Sequence, residues 1–211
     1  MKNTSRLVAA MMLLCLSNGA TALPLDLHWG QKFAEIDKNW PLKEVNVEGG
    51  YVIDKTKIDQ KTPMAFGKYY LQVLPENGLC SMMVSKKVTT SYSAKGLIES
   101  YDSLRQILRK EFGRSVSLGM KDEEIAQMSD ELLLSIRAGK VKIKEGWSRA
   151  VRSRMSGGIR AVYLSIDDVD PFKSEAVFSI GFDGNTPGCL EEAKILKEQA
   201  EHASTKLIFA P

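Results

Sequence analysis

Apolar side chains recur at helical spacing most regularly between Leu97 and Phe112. Leu97, Tyr101, Leu104, Leu108 and Phe112 are four, three, four and four residues apart, and Ile98 and Ile107 widen the stripe. Ser93 precedes the run as an N-cap and Gly113 follows it where a helix ends on a left-handed residue. Upstream the period changes to two. Tyr69 to Leu74 and Leu79 to Val88 read as strands of a hairpin whose turn holds Asn77-Gly78. "GGYVIDKTKI" is a further strand, and Leu25, Leu27 and Trp29 alternate as a short one. After Gly30, Phe33 and Ile36 face inward on a short helix that Pro41 ends.

The second half runs in a similar order. Residues 121–138 are helical, with acids in the first turn and Arg137 near the end, as the helix dipole favours. "KVKIKEGW", "IRAVYLSID" and "EAVFSIGF" are strands, and "CLEEAKILKEQA" is a last helix. Each half thus reads as a short helix, three strands and a longer helix. The expected fold is α+β, with antiparallel sheets and helices on one face. It is arranged either as two tandem α-βββ-α modules, 23–115 and 116–211, or as one compact domain of both.

The first residues stand apart from this pattern. Lys2 and Arg6 precede an apolar run from Leu7 to Leu16, and Ala20-Thr21-Ala22 has the small residues a signal peptidase requires, so residues 1–22 are expected to be cleaved after Ala22. The run is too short for a membrane anchor, and no later segment approaches the roughly 20 apolar residues of a transmembrane helix. A periplasmic or secreted product is expected. With 44% hydrophobic and 26% charged residues the chain has the composition of a globular protein. Removing Lys2 and Arg6 leaves 27 basic against 26 acidic residues, a net charge of +1, so electrostatic function must come from local clustering. Cys15 leaves with the signal. Cys80 and Cys189 remain, and in an oxidising compartment two cysteines without a Cys-x-x-Cys spacing read as one structural disulfide.

Chemistry is sparse. His28 and His202 are the only histidines and neither has a neighbour at metal-ligand spacing. The sequence lacks a Gly-x-Ser-x-Gly elbow, a His-Glu-x-x-His pair and a phosphate-binding loop, and "SGGIR" at Ser156 to Arg160 reads as a turn into a strand. Asp167, Asp168 and Asp170 fail the spacing of a calcium loop and suit a turn at Pro171. No catalytic residue, metal or cofactor is assigned, and a hydrolase working through paired carboxylates is the weakest of the alternatives.

The feature least like background is a charge block. Arg137, Lys140, Lys142, Lys144, Arg149, Arg152, Arg154 and Arg160 are opposed only by Glu145. On a strand Lys140, Lys142 and Lys144 project from one face and Val141 and Ile143 from the other. Two readings compete: lysines guarding an exposed edge strand, or a docking surface for an acidic protein, an anionic glycan or lipid headgroups. Trp147 lies in this block either as a contact anchor or as a core residue. No aromatic stacking motif for nucleic acid accompanies the charges.

"WGQKF", the "ENGLC" hairpin, the helix "YDSLRQILRKEFG" and the Trp-bearing strand together resemble the tandem αβ repeats of the β-lactamase-inhibitor-like group of exported bacterial proteins. A similar module occurs in a lipoprotein accessory of outer-membrane protein assembly. The chain departs from the lipoprotein members because Leu14 before Cys15 is too large for a lipobox. The resemblance implies a non-enzymatic protein that binds other proteins through its sheet face or loops, as an inhibitor, immunity or assembly factor.

Overall fold

A computed structural model describes residues 23–45, 49–53, 68–89, 93–127, 131–148, 155, 158–170 and 172–208. The proposed signal segment, Arg149, Arg152 and Arg154 lie outside the described residues. Eight strands form one antiparallel sheet: β1 Leu42–Glu44, β2 Gly50–Ile53, β3 Lys68–Leu74, β4 Gly78–Thr89, β5 Val116–Ser117, β6 Ile143–Ser148, β7 Ile159–Asp170 and β8 Glu175–Gly184. Their order is β1-β2-β3-β4-β8-β7-β6-β5. Each half supplies four strands to this sheet, where three had been expected, and the last strands of the two halves pair with each other.

The hairpin of β3 and β4 turns where Asn77-Gly78 predicts. Gly78 has φ 69°, and a Cβ there would lie 2.3 Å from the carbonyl oxygen of Gly30, so both the backbone angle and the space demand glycine. Gly30 and Gln31 hydrogen-bond with Leu79 at this point, which ties the N-terminal segment to the hairpin. The strand expected over Leu25 to Trp29 is replaced by a 3-10 turn, Pro24–Asp26, with Leu25 at φ 65°. Leu23, Leu25 and Leu27 are nonetheless buried in the main core. Alternation there reflects burial without strand pairing.

The helices are α1 Phe33–Asn39, α2 Ala94–Phe112, α3 Asp122–Gln127, α4 Glu131–Arg137 and α5 Cys189–Ile208. The single helix expected over 121–138 is thus two. On α1 only Ile36 is buried. Phe33 is 40% exposed and rests on the ring of Tyr51 at 4.8 Å, so it does not face inward. The stripe of α2 is buried throughout, its Ser93 cap accepts a hydrogen bond from the Gly96 N–H, and Gly113 ends it at φ 83°. Leu132, Leu133 and Ile136 of α4 join it on the same core. Two transverse rows of the sheet meet these helices: Tyr51, Leu71, Met82, Phe182, Val162 and Trp147, then Tyr69, Val84, Ile180 and Leu164.

α5 belongs to a second, smaller cluster, with Leu74, Cys80 and Cys189 buried against Ala193 and Leu196. The sulfurs of Cys80 and Cys189 lie at disulfide-bonding distance, with Cα atoms 5.7 Å apart. Glu192 reinforces this tie by accepting hydrogen bonds from the backbone N–H groups of Glu76 and Asn77 and from Asn77 Nδ2. Among the described residues no helix is long and apolar enough to cross a membrane. Replacing Cys80 and Cys189 by serine should lower the unfolding free energy by about 4 kcal/mol, because the bond closes a loop of 109 residues. Urea denaturation of oxidised wild type against the double variant measures this; unchanged stability would mean that the bond constrains nothing.

Candidate functional site

Strand alternation sends Lys142 and Lys144 to the face of the sheet opposite α2, and both are exposed. Lys140 is exposed in the turn before β6. The lysines do not guard an edge. The N–H groups of Leu118 and Met120 donate to the carbonyls of Lys144 and Lys142, so the segment carrying β5 covers that side of β6. The edge strand itself is blunted by being two residues long. Trp147 is fully buried and donates its indole N–H to the Gly113 carbonyl, 3.2 Å away, so it is a core residue with no surface for a partner.

Glu145 does not oppose the lysines either. It occupies the core face, at the end of the row Tyr69, Val84, Ile180 and Leu164, with 3% of its surface exposed. A carboxylate placed there requires partners. They come from α2 and from the segment just after it: Arg109 reaches Oε1 through Nη2 at 2.5 Å and Nε at 3.1 Å, Ser115 donates to the same oxygen, and Arg105 lies 3.5 Å from Oε2 while pairing with Asp102 at 2.7 Å. The one acid of the charge block is therefore consumed inside the fold, and the lysines keep their charge at the surface.

On that surface a row of opposed residues crosses all eight strands: Lys43, Val52, Tyr70, Met83, Gly181, Tyr163, Gly146 and Val116. Its middle is aromatic and apolar, and Tyr70, Met83 and Tyr163 are only partly buried. The neighbouring rows are polar, with Lys68, Ser85, Ser179, Ser165 and Lys144 on one side and Gln72, Ser81 and Asp183 on the other. Gly181 leaves the floor low beside Tyr163, whose ring a Cβ at Gly181 would touch at 3.6 Å. Leu118, half exposed, lies over Gly146.

A chain of contacts fixes Tyr163. The Lys144 ammonium stands 4.6 Å from the centre of its ring, a cation–π geometry. Its hydroxyl donates to Asp183 Oδ2 at 3.0 Å, and Arg160 pairs with that oxygen at 3.0 Å. Of the candidates named from sequence, Lys142, Lys144 and Arg160 thus share this face. Tyr163, Tyr70, Met83 and Gly181 were missed. Their signal was available, since they occupy the outward phase of β3, β4, β7 and β8, where charged residues are the ordinary choice.

The aspartates near Pro171 serve the hairpin. Asp167 accepts hydrogen bonds from Ser165 and Ser179, and Asp168 from the Val169 N–H. Asp170 accepts from the Phe172 N–H and lies near Arg137 and Lys173. Comparison with protein-family models, curated proteins and solved structures finds no match for this chain.

Burial raises the Tyr163 hydroxyl above its ordinary value of 10.0; the charge of Asp183 and the hydrogen bond to it add to the shift, and Arg160 opposes it. A raised folded-state value means that the neutral phenol contributes stability fully below about pH 10 and loses it as pH rises through the folded-state value. Tyr163→Phe should therefore remove one late component from the ultraviolet titration of tyrosine and flatten the alkaline fall in stability. An unchanged titration curve would show that Tyr163 ionises like an exposed phenol.

Proposed function

We propose that this is an exported, non-enzymatic binding protein of the bacterial envelope, which contacts an acidic surface of another protein through the sheet face opposite α2. The observation that carries the reading is the transverse row. Met83 and Tyr163 flank the glycine floor at Gly181, with Tyr70 next to Met83, while Lys144 and Arg160 are held beside Tyr163 and its Asp183 partner. Aromatic, methionine and arginine side chains are enriched in protein contact surfaces, and a few such anchors carry most of the binding energy. Tyr163 is also held rigid before any partner arrives, which limits the ordering cost of association.

A signal peptide at residues 1–22, the disulfide and a periplasmic or secreted location belong to the same reading. The role falls in the class of inhibitor, immunity protein or assembly factor. Binding of anionic lipid or glycan by charge is the competing reading, favoured by the exposure of Lys142 and Lys144. It gives Tyr163 no part and predicts steep weakening with salt.

Immobilised protein exposed to envelope extract should retain a protein partner, and Tyr163→Ala should weaken retention about tenfold or more, as loss of an anchor residue does. The pair Lys142→Glu and Lys144→Glu should weaken it as well. Loss on the lysine changes alone, with Tyr163→Ala indistinguishable from wild type, would favour the charge-driven reading. Retention unaffected by either would remove this face from the function.

A further inference from the structure

The outward row of the sheet contains two glycines, Gly146 and Gly181, and the fold requires only one of them. At Gly146 a Cβ would lie 2.6 Å from Leu118 Cδ1, so a side chain has no room there. Gly181 does have room. Among the described residues a Cβ at Gly181 would meet Tyr163 alone, at 3.6 and 3.9 Å, which is ordinary van der Waals contact, and nothing on the Met83 side comes within 4 Å. Its backbone does not call for glycine either, because its φ lies outside the left-handed region that Gly30, Gly78 and Gly158 occupy.

Glycine inside a strand costs conformational entropy and leaves nothing to pack. It is found there at a bulge, at a barrel corner, or where another group must come close. β8 runs through Gly181 in unbroken register with both neighbours, Met83 on β4 and Tyr163 on β7, so there is no bulge at this point. The sheet is open from β1 to β5, so it has no barrel corner to turn. Close approach remains. We propose that Gly181 is a socket: one aliphatic side chain of the partner protein seats over it between Tyr163 and Met83, and a carboxylate of the same segment pairs with Lys144. This rests on the outer face being the contact surface, and it adds where on that face the partner is anchored and by what chemistry.

Size and polarity choose the occupant. Met83 and Tyr163 stand one strand to either side of Gly181, about 9.6 Å apart at the usual spacing of strands, and their own thickness leaves a gap about one aliphatic chain wide. An aromatic ring and a thioether offer a sugar hydroxyl or a lipid phosphate no hydrogen bond. Tyr163 is the fixed wall, and methionine is an adaptable one. The charges of the face are largely matched internally. Arg160 pairs with Asp183, Lys87 with Glu175, and Asp167 accepts from Ser165 and Ser179, while Asp168 and Asp170 lie further along β7 at its hairpin. Lys144 stands on the Tyr163 ring, at the wall of the socket, with no carboxylate partner among the described residues. An acid beside the aliphatic residue supplies that partner.

Short random peptides displayed on phage and selected on the immobilised mature protein provide probes before the partner is known. Selected peptides should carry leucine, isoleucine or methionine beside aspartate or glutamate. A synthetic copy of one should bind Gly181→Leu, whose side chain fills the socket, about tenfold or more weaker than wild type. Changing its acid to the amide should weaken binding to wild type several-fold and to Lys144→Gln hardly at all. Gly181→Ala should bind several-fold weaker while keeping or exceeding the wild-type urea midpoint, and it carries the test if Gly181→Leu does not fold. A fall in that midpoint would show that the fold needs this glycine and would overturn the socket. Failure to select binders, binders without the aliphatic–acid pair, or equal affinity for the Gly181 variants would overturn it too. Self-association of wild type that Gly181→Leu abolishes would give the socket to a second copy and overturn the assigned partner. Retention of the envelope partner that is lost with Tyr163→Ala and kept with Gly181→Leu would overturn the socket alone and leave the face as the contact surface.

Discussion

Nine consecutive residue pairs, Ser81 with Asp183 through Thr89 with Glu175, join β4 to β8, and every cross-sheet relation in the molecule depends on that register. Side chains alternate with a period of two, so a slip of one residue at this seam would turn the inward face of one half toward solvent. In the register observed, Met82 opposes Phe182 and Val84 opposes Ile180 on the core side, while Met83 opposes Gly181 and Ser85 opposes Ser179 on the other. The seam thereby makes one continuous core from both halves of the chain. It also makes one continuous outer row, in which residues as distant in sequence as Met83 and Tyr163 flank the same glycine.

The fold was legible where local chemistry leaves little choice. The stripe from Leu97 to Phe112 has one reading, and Asn77-Gly78 fixes both the turn and the strands it joins. Cys80 and Cys189 had no other partners once Cys15 was assigned to the signal. It was less legible where burial arises without regular backbone pairing. Leu23, Leu25 and Leu27 alternate and are buried, yet the chain there follows a 3-10 turn held by Gly30 and Gln31 against Leu79, a contact separated by nearly fifty residues. Strand β5 is too short to leave a periodic signal. Its hydrogen bonds to β6 are nevertheless what removes the edge that the lysines had been supposed to guard.

The site was legible by half. Charge clustering located Lys142, Lys144 and Arg160, because like charges close in sequence are visible without a fold. The residues that give those charges a context are not close in sequence. Tyr163 meets Lys144 across one strand boundary and Asp183 across another, and no window of the chain contains all three. A search for uncharged aromatic or glycine residues in the outward phase of the strands would have found Tyr70, Tyr163 and Gly181. Their alignment, however, is a property of three registers at once.

Glu145 shows how the two faces are coupled. It sits between Lys144 and Gly146, and strand alternation alone sends its carboxylate away from the lysines and into the core row. Buried there, it costs stability unless ionised partners reach it. Arg105 and Arg109 do so, at the same spacing on α2 that places them above the strand, and they dock that helix at a point where an apolar contact would have left it free to slide. One residue thus spares the lysines an internal counter-ion and ties α2 to the sheet. Substituting an apolar side chain would fill the core equally well, but it would leave Arg109 without its charge partner and Arg105 with Asp102 alone.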